Sequence, residues 1–225
     1  MSATIRQALA GHFLLSQLGE DALDRLADVA HLRRLSRGQV LFVAGEPSDA
    51  LHVVARGRLR VLVTSARGDE LVLGLVGPGE AVGDLAMLDG GPRSADVDAV
   101  EDTELAVLPA EPVREILLQH PAVLLGLAQE LAGDVRRLTG RASDLVFLDL
   151  RRRLAKLLLD QAAASGDDST ADLGLSQSGV AARVGTTRQS LNRAMGELAR
   201  RGWIRVDGQR VHLLDRTALG RFADS

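Results

Sequence analysis

The chain has 225 residues and no cysteine, and its formal net charge at pH 7 is −3. This length suits one large domain or two modest ones, and the absence of cysteine excludes disulfides and thiolate-bound zinc or iron–sulfur clusters. Because no apolar run approaches the roughly 20 residues needed to cross a bilayer, we expect a cytoplasmic protein with no membrane partner.

The charge is unevenly divided along the chain. Residues 1–150 carry a net charge of −8, whereas residues 151–225 carry +5. DNA phosphates are neutralised by locally clustered Arg and Lys. The division therefore indicates a nucleic-acid-binding module at the C-terminal end, joined to a module that binds something else.

The first 110 residues change from a helical to a strand pattern. Apolar residues recur at helical intervals over about the first 35 residues. Glycine-punctuated segments rich in β-branched residues follow at 39–44, 50–57, 58–65, 70–77 and 94–110. Strands at this close spacing predict an antiparallel barrel or sandwich.

From about Glu111 the helical period returns and continues for nearly forty residues. Four leucines lie seven residues apart, and small or branched apolar residues follow the first three of them by four positions: Leu124, Leu131, Leu138 and Leu145, then Ala128, Val135 and Ala142. A seven-residue repeat keeps one seam facing a partner helix, so we predict a parallel dimerising helix. The alternative is a long amphipathic helix that packs on its own domain.

The C-terminal part predicts two helices joined by a tight turn. Asp149 is a predicted N-cap of the helix that follows it, and residues 164–172 are predicted to be a polar surface connection. Helical segments follow at 175–185 and 186–202, with Gly185 at the bend, and the segment 203–214 is predicted to be a hairpin turning at Asp207-Gly208. This order is typical of a winged helix-turn-helix.

The second of these helices presents side chains that suit base recognition. Arg188, Gln189, Asn192 and Arg193 project from one side of it. Arginine matches the major-groove edge of guanine and glutamine that of adenine. The alternative is an ordinary helical hairpin with a solvated polar face. The predicted DNA-binding residues are Ser176, Gln177, Thr187, Arg188, Gln189, Asn192 and Arg193, of which Ser176 and Thr187 are also predicted N-caps.

The segment 83–95, GDLAMLDGGPRSA, is called the cassette below. The cassette begins with Gly83-Asp84-Leu85 and ends with Arg93-Ser94-Ala95. Gly83 and Arg93 are ten positions apart, with a Gly-Gly-Pro turn between them. Backbone N–H groups near a glycine, a guanidinium and a hydroxyl together suit a phosphate, and the acid suits a ribose hydroxyl. Without other support, the favoured alternative is that the arginine is a surface ion-pair partner and that the glycines only form turns.

Three segments in order resemble the cyclic-AMP receptor protein/FNR superfamily of bacterial transcription regulators. The cassette looks like the phosphate-binding cassette of that family, FLDLRRRLAKLLL like its hinge and the helix after it, and SQSGVAARVGTTRQSLNRAMGEL like its helix-turn-helix. The resemblance covers essentially the whole chain. It identifies the first 110 residues as a cyclic-nucleotide-binding domain.

The resemblance implies roles for individual residues. Gly83, Asp84, Arg93 and Ser94 would hold the ribose and the cyclic phosphate, while the purine faces the long helix. Arg188, Gln189 and Arg193 would read bases, and Thr187 would contact phosphate.

Three positions depart from the family pattern. Asp84 is one methylene shorter than the usual Glu, and Leu138-Thr139 stands where cyclic-AMP binders have Thr-Ser, so only Thr139 supplies a hydroxyl to the base. Gln189 replaces a frequent Glu, which favours an altered half-site.

The predicted fold is therefore α+β. It comprises a jelly-roll-like cyclic-nucleotide-binding β-roll (1–110), a dimerisation helix and hinge (111–148) and a winged helix-turn-helix DNA-binding domain (149–225). We expect a homodimeric transcription regulator, not an enzyme, with no prosthetic group or metal, controlled allosterically by cyclic AMP. The expected partners are a palindromic DNA operator, a second copy of the chain and RNA polymerase.

Two alternatives remain. One is a regulator of the same architecture that is ligand-independent or senses cyclic GMP or another small molecule. The other is a cyclic-nucleotide-regulated enzyme or channel subunit, for which the sequence has no Walker-type, nucleophile-elbow or HExxH motif.

Overall fold

A computed structural model describes residues 2–224, with side chains described for residues 4–223. The chain forms two compact units. The first unit comprises Met1–Thr64 and Leu73–Asp134, and the second comprises Ser65–Val72 and Val135–Ser225. Between residues 2 and 224, no helix is both long and apolar enough to span a bilayer.

The described residues form helices and strands in the following chain order. The helices are α1 (Ser2–Gly11), a 3₁₀ turn (Leu15–Gln17), α2 (Glu20–Val29), α3 (Asp84–Asp89), α4 (Ala110–Gln119), α5 (Pro121–Phe147), α6 (Leu150–Ser165), α7 (Gln177–Arg183), α8 (Arg188–Arg200) and α9 (Arg216–Asp224). The strands are β1 (His31–Leu35), β2 (Val40–Phe42), β3 (Ala50–Arg56), β4 (Leu59–Thr64), β5 (Glu70–Val76), β6 (Ala81–Val82), β7 (Asp96–Ala99), β8 (Thr103–Pro109), β9 (Thr170–Asp172), β10 (Ile204–Asp207) and β11 (Arg210–Leu213).

Two four-stranded sheets form a β-roll, with strand orders β1-β8-β3-β6 and β2-β7-β4-β5. One buried cluster contains side chains from both sheets, among them Phe42, Val54, Leu59, Val97 and Leu105. The interior of the roll therefore lies between the two sheets. The predicted antiparallel β-domain is confirmed.

The β-roll has a second core on its helical side. Leu51 and Val53 of strand β3 pack with residues of α1, α2, α4 and α5, whereas Ala50 and Val54 of the same strand belong to the interior of the roll. Side chains alternate between the two faces of a strand. Because both faces are covered, β3 is apolar almost throughout, and His52 is placed on the face of the roll interior.

In the second unit, helices α6 to α9 pack with a three-stranded sheet of order β10-β11-β9. The predicted caps are confirmed: the side chains of Asp149, Ser176 and Thr187 accept hydrogen bonds from backbone N–H groups in the first turns of α6, α7 and α8. The predicted hairpin also forms, since β10 ends at Asp207 and β11 begins at Arg210.

The predicted single helical run from Glu111 is instead two helices. Helix α4 ends at Gln119, and α5 begins at Pro121. Proline has no N–H to donate and disfavours helical backbone in the residue before it, but it is well suited to the first position of a helix. His120 accordingly leaves the helical conformation, with φ −125° and ψ 72°.

Three other segments differ from the predictions. Residues 31–35, expected to be helical, form strand β1, a half-exposed edge strand paired with β8. Part of the predicted polar connection is strand β9, because Ala171 is fully buried opposite Val211 of β11. Helix α9, which the sequence analysis did not predict, packs against α6. In each case tertiary packing determines the local structure.

Two glycines of the first unit allow the cost of a left-handed backbone to be separated from the cost of a steric clash. Gly57 and Gly45 both have φ +87°, but a Cβ at Gly57 would lie 2.5 Å from the carbonyl oxygen of Asp102, whereas one at Gly45 meets nothing within 4 Å. We expect Gly45→Ala to cost about 1–2 kcal/mol of unfolding free energy from the left-handed backbone and Gly57→Ala at least about 2 kcal/mol more. Urea unfolding of the two full-length variants measures this; equal losses would contradict the contact.

Candidate ligand cradle and DNA-binding face

The cassette folds as one short helix between two glycines. Helix α3 has Gly83 at its N-cap with φ 92° and Gly90 at its C-cap with φ 69°, and both angles lie in the left-handed region that favours glycine. A Cβ at Gly83 would also collide with Nη1 of Arg93. Gly83 is therefore required by its backbone conformation and by the close approach of the guanidinium.

Arg93 lies in the interior of the β-roll and is 6% exposed. Its Nη2 donates to the carbonyl oxygen of Ala50 at 3.0 Å, its Nη1 donates to that of Gly83 at 3.5 Å, and its Cζ lies 4.1 Å from the ring centroid of Phe42. Within residues 4–223, no carboxylate forms an ion pair with this guanidinium. Arg93 is thus a buried cation that forms no direct ion pair with a described carboxylate, and not a surface ion-pair residue.

The electrostatic environment of Arg93 has two opposing parts. Burial lowers the pKa of Arg93 from its ordinary value, and the negative charges of Asp49 and Glu46 oppose this effect. Arginine nevertheless stays protonated in proteins. The nearby His52 is affected more strongly, since burial and then the positive charge of Arg93 lower its pKa to about 3. His52 is therefore neutral at physiological pH.

Asp84 faces a different space from Arg93. It lines a cavity of about 40 Å³ on the helical side of the β-roll, together with His12, Met87, Leu127 and other side chains. Burial raises the pKa of Asp84, and a hydrogen bond from the backbone N–H of Leu85 opposes this. The structure thus brings Arg93 and Gly83 together, while Asp84 lines a cavity of which Arg93 is not a lining residue.

The remaining predicted ligand residues are at the surface. Leu85 and Ser94 are exposed. Thr139 belongs to the second unit, is exposed, and donates its hydroxyl hydrogen to the carbonyl oxygen of Val135 in its own helix. Their roles in ligand binding stay predictions.

Two side chains beside Arg93 were missed by the sequence analysis. Phe42 lies under the guanidinium, and the ring of His52 is tilted against that of Phe42 with centroids 5.7 Å apart. Nδ1 of His52 is buried without a hydrogen-bond partner. One signal was available in the sequence, because a histidine within the apolar segment ALHVVA is unusual for a buried strand.

The C-terminal module has the geometry of a helix-turn-helix. Helices α7 and α8 are joined through Gly185, which has φ +69°. Leu191, Ala194 and Leu198 form the buried face of α8. The predicted DNA-binding residues Ser176, Gln177, Thr187, Arg188, Gln189, Asn192 and Arg193 are all exposed. Nε of Arg188 donates to Oε1 of Gln177 at 3.3 Å, so α7 contacts the first side chain of α8.

One arginine connects this module to the end of helix α5. Arg153 of α6 donates from Nη1 to the carbonyl oxygen of Leu148 at 2.8 Å and from Nε to that of Val184 at 3.1 Å. Leu148 lies between α5 and α6, and Val184 is the C-cap of α7. Near the same place, Nζ of Lys156 donates to Asp144 at 2.8 Å.

Comparison with known proteins identifies both units. Residues 32–120 match the cyclic nucleotide-binding domain family, and residues 152–222 match the Crp-like helix-turn-helix domain family. A CRP-like cAMP-activated global transcriptional regulator of Mycobacterium tuberculosis (strain CDC 1551 / Oshkosh) is 31% identical over 191 residues, which are 83% of this chain and 85% of that protein.

The chain belongs to the CRP/FNR family of transcription regulators. The cyclic AMP receptor protein of Thermus thermophilus is 32% identical over 217 residues, covering 94% of this chain and 99% of that protein. The solved structure of the c-di-GMP responsive global regulator CLP of Xanthomonas campestris is similar with a TM-score of 0.74 and 25% identity, over 88% of this chain and 100% of that one.

Membership of the CRP/FNR family confirms the α+β fold and the general function. Members of this family are DNA-binding transcription regulators and not enzymes. The family has a cyclic nucleotide-binding domain, and in this CRP/FNR protein that domain contains the buried Arg93 and the cassette.

The buried His52 predicts a pH dependence of stability in this CRP/FNR protein. Its folded pKa, about 3, lies below the value of 6.5 for an unperturbed histidine, so the unfolded state binds more protons between these values. The free energy of unfolding therefore falls as the pH is lowered from about 6.5 towards 3. We expect this single group to contribute a slope of up to about 1.4 kcal/mol per pH unit.

Urea unfolding at several pH values, of the wild type and of His52→Phe, isolates that contribution because the other groups are common to both chains. His120→Gln, at a half-exposed histidine, controls for the loss of an imidazole. Identical pH profiles for His52→Phe and the wild type would show that His52 titrates normally.

Proposed function

We propose that this CRP/FNR protein is a homodimeric regulator whose affinity for DNA is controlled by a cyclic nucleotide, with cyclic AMP as the favoured ligand. In this proposal residues 1–110 sense the ligand, 111–148 form the dimerisation helix and hinge, and 149–225 bind DNA. Gly83, Asp84, Leu85, Arg93, Ser94 and Thr139 are the proposed ligand residues.

The observation that carries the ligand proposal is the buried guanidinium of Arg93, which lies beside Gly83 and forms no direct ion pair with a described carboxylate. A buried cation is stabilised by an anion that replaces its lost hydration. Two of the five donors of Arg93 are used by backbone carbonyls, which leaves three for phosphate oxygens. Two relatives named as cAMP-activated or as a cyclic AMP receptor support the choice of cyclic AMP.

A second effector class has specific support. The similar structure of CLP is described as c-di-GMP responsive, and that ligand also carries cyclic phosphates. In addition, the hydroxyl of Thr139 is already used within its own helix, so adenine would have to compete for it. Cyclic di-GMP and cyclic GMP are therefore the ligands to compare with cyclic AMP.

The homodimer is supported by the surface of α5. Val135, Leu138 and Leu145, which belong to the seven-residue repeat, are 63%, 47% and 41% exposed in the single chain. Exposed apolar side chains in one stripe of a helix favour pairing with another helix. A two-fold axis would then present two copies of α8 to major grooves about one helical turn, roughly 34 Å, apart.

Allosteric control requires that the ligand binds the DNA-competent arrangement more tightly than the alternative. Residues 147–149 at the end of α5 are the proposed hinge. The exposed face of α8, with Arg188, Gln189 and Arg193, is the proposed base-reading surface, and Thr187 is a proposed phosphate contact. A palindromic operator and RNA polymerase remain predictions from family membership.

Gly83 and Gly90 allow a matched test of the ligand proposal by isothermal titration calorimetry with cyclic AMP, cyclic GMP and cyclic di-GMP. Both have positive φ, but only a Cβ at Gly83 meets Arg93, and one at Gly90 meets nothing within 4 Å. We expect Gly83→Ala to lose at least about a hundredfold in affinity, as expected for loss of a charged hydrogen-bonding partner. Gly90→Ala, outside the predicted binding residues, should retain affinity within a fewfold.

Titration of the native protein with the three nucleotides tests whether it binds a cyclic nucleotide at all. If it binds none of the three ligands at millimolar concentration, the cyclic-nucleotide part of the proposal is wrong. If it binds but both glycine variants bind equally well, the ligand lies elsewhere.

The proposed DNA-binding role is tested by substituting Arg188 and titrating labelled DNA duplexes with and without cyclic AMP. We expect Arg188→Ala to cost about 1–3 kcal/mol and to relax the preference at one base position. Arg37→Ala, in the first unit, removes the same charge and should leave the base preference unchanged. Loss of affinity without any change in base preference would assign Arg188 to phosphate contact. Separately, a native protein that binds a palindrome as a monomer would contradict the proposed homodimer.

A further inference from the structure

We propose that Phe42 is a positioning residue for the ligand site: its ring, held in place by His52, fixes the plane of the Arg93 guanidinium in the orientation that a phosphate requires. This inference deepens the proposed function and rests on it for its ligand. Phe42 is not one of the proposed ligand residues. It acts through Arg93.

The first observation is the geometry of the guanidinium. Its Cζ lies 4.1 Å from the centroid of Phe42, a distance at which a cation is attracted to the face of an aromatic ring. The two carbonyl oxygens that accept from Arg93 belong to Ala50 of β3 and to Gly83 of the cassette. Three contacts from three separate segments determine the position and plane of the group.

The second observation is the absence of a competing anion. The negative charges of Asp49 and Glu46 raise the pKa of Arg93, but among the described side chains no carboxylate forms an ion pair with it. The aromatic ring is therefore the main side-chain contact that holds the guanidinium. Such attraction is strongest where water is excluded, and both residues are buried.

The third observation concerns the backbone and the support of the ring. The N–H of Arg93 donates to the carbonyl oxygen of Glu46, and the N–H of Gly45 donates to the carbonyl oxygen of Arg93. The segment after Phe42 is thus bonded to the backbone of Arg93. On the strand side, His52 is tilted against the ring and is neutral, so it adds no charge that would repel the guanidinium.

The sharpest test changes the charge distribution of the ring without changing its shape. Phe42 in the full-length chain is replaced site-specifically by mono-, di- and trifluorinated phenylalanine, which progressively weaken the negative face of the ring. Cyclic AMP affinity is measured by calorimetry. We expect a stepwise loss that reaches about tenfold to thirtyfold for the trifluorinated ring. The same series at Phe13, which is exposed in the turn after α1, should leave affinity unchanged.

A ligand-independent measurement keeps this inference separate from the choice of ligand. A double-mutant cycle combines Phe42→Leu with Arg93→Met, and urea unfolding gives the equilibrium constant of each chain. We expect Phe42→Leu to change that constant by about tenfold more in the presence of Arg93 than in the Arg93→Met background. The fluorinated chains give the same coupling if Phe42→Leu does not fold.

The outcomes are distinguishable. A native protein that binds no cyclic nucleotide but shows the coupling refutes the proposed ligand and supports the role of Phe42 in holding Arg93. A native protein that binds cyclic AMP with equal affinity along the fluorinated series shows that the guanidinium is positioned by the carbonyls alone, which overturns the inference. Absence of coupling in the cycle overturns it as well.

Discussion

A guanidinium in the interior of a β-roll has lost most of its hydration, and here two carbonyl oxygens and an aromatic ring replace it. The arrangement depends on Gly83, because a Cβ at this position would occupy the space of Nη1. It also depends on the register of β3, which directs Ala50 and His52 to the interior and Leu51 and Val53 to the helical core. The cassette, the two sheets and the charge of the site are therefore linked through one side chain.

The second unit has a comparable dependence on one arginine. Arg153 donates to a carbonyl at the end of α5 and to another at the turn of the helix-turn-helix. Hydrogen bonds from a charged donor contribute roughly 1.5–3 kcal/mol each. These two bonds stabilise one arrangement of the end of α5 and the turn before the recognition helix.

The sequence was informative wherever the cause of a structure is local. The caps Asp149, Ser176 and Thr187 and the turn at Gly185 follow from chemistry within a few residues, and all were predicted. The ten-residue spacing in the cassette likewise indicated that Gly83 and Arg93 meet.

The sequence was uninformative wherever distant segments decide. Phe42 is 51 positions from Arg93, and these segments meet through the pairing of β2 with β7 and the backbone hydrogen bonds of Arg93 with Gly45 and Glu46. Strand β9 is too short and polar to be recognised without its partner β11. The position of Asp84 at the cavity on the helical side also depends on the packing of α3 and on no local pattern.

The size of the cavity at Asp84 constrains how a ligand would act. Sites for small molecules occupy roughly 300–1,000 Å³, whereas this cavity has about 40 Å³. A nucleotide that used both Asp84 and Arg93 would therefore have to move part of the wall. That wall includes Met87 of α3, Leu14 and Leu15 of the 3₁₀ segment, and Leu127 of α5. Leu14 is held close to α5, since its Cδ2 would lie 2.7 Å from a Cβ at Gly126.

Movement of this wall is the physical basis that the proposed allostery needs. A ligand shifts an equilibrium only through different affinities for its two states. In the proposed mechanism the closed cavity binds the nucleotide weakly and the opened one binds it tightly, so the ligand selects the opened position of α5. The same helix ends at Phe147, next to the carbonyl that Arg153 holds. In this proposed mechanism α5, which is one continuous helix from Pro121 to Phe147, is the element that carries a displacement towards the hinge.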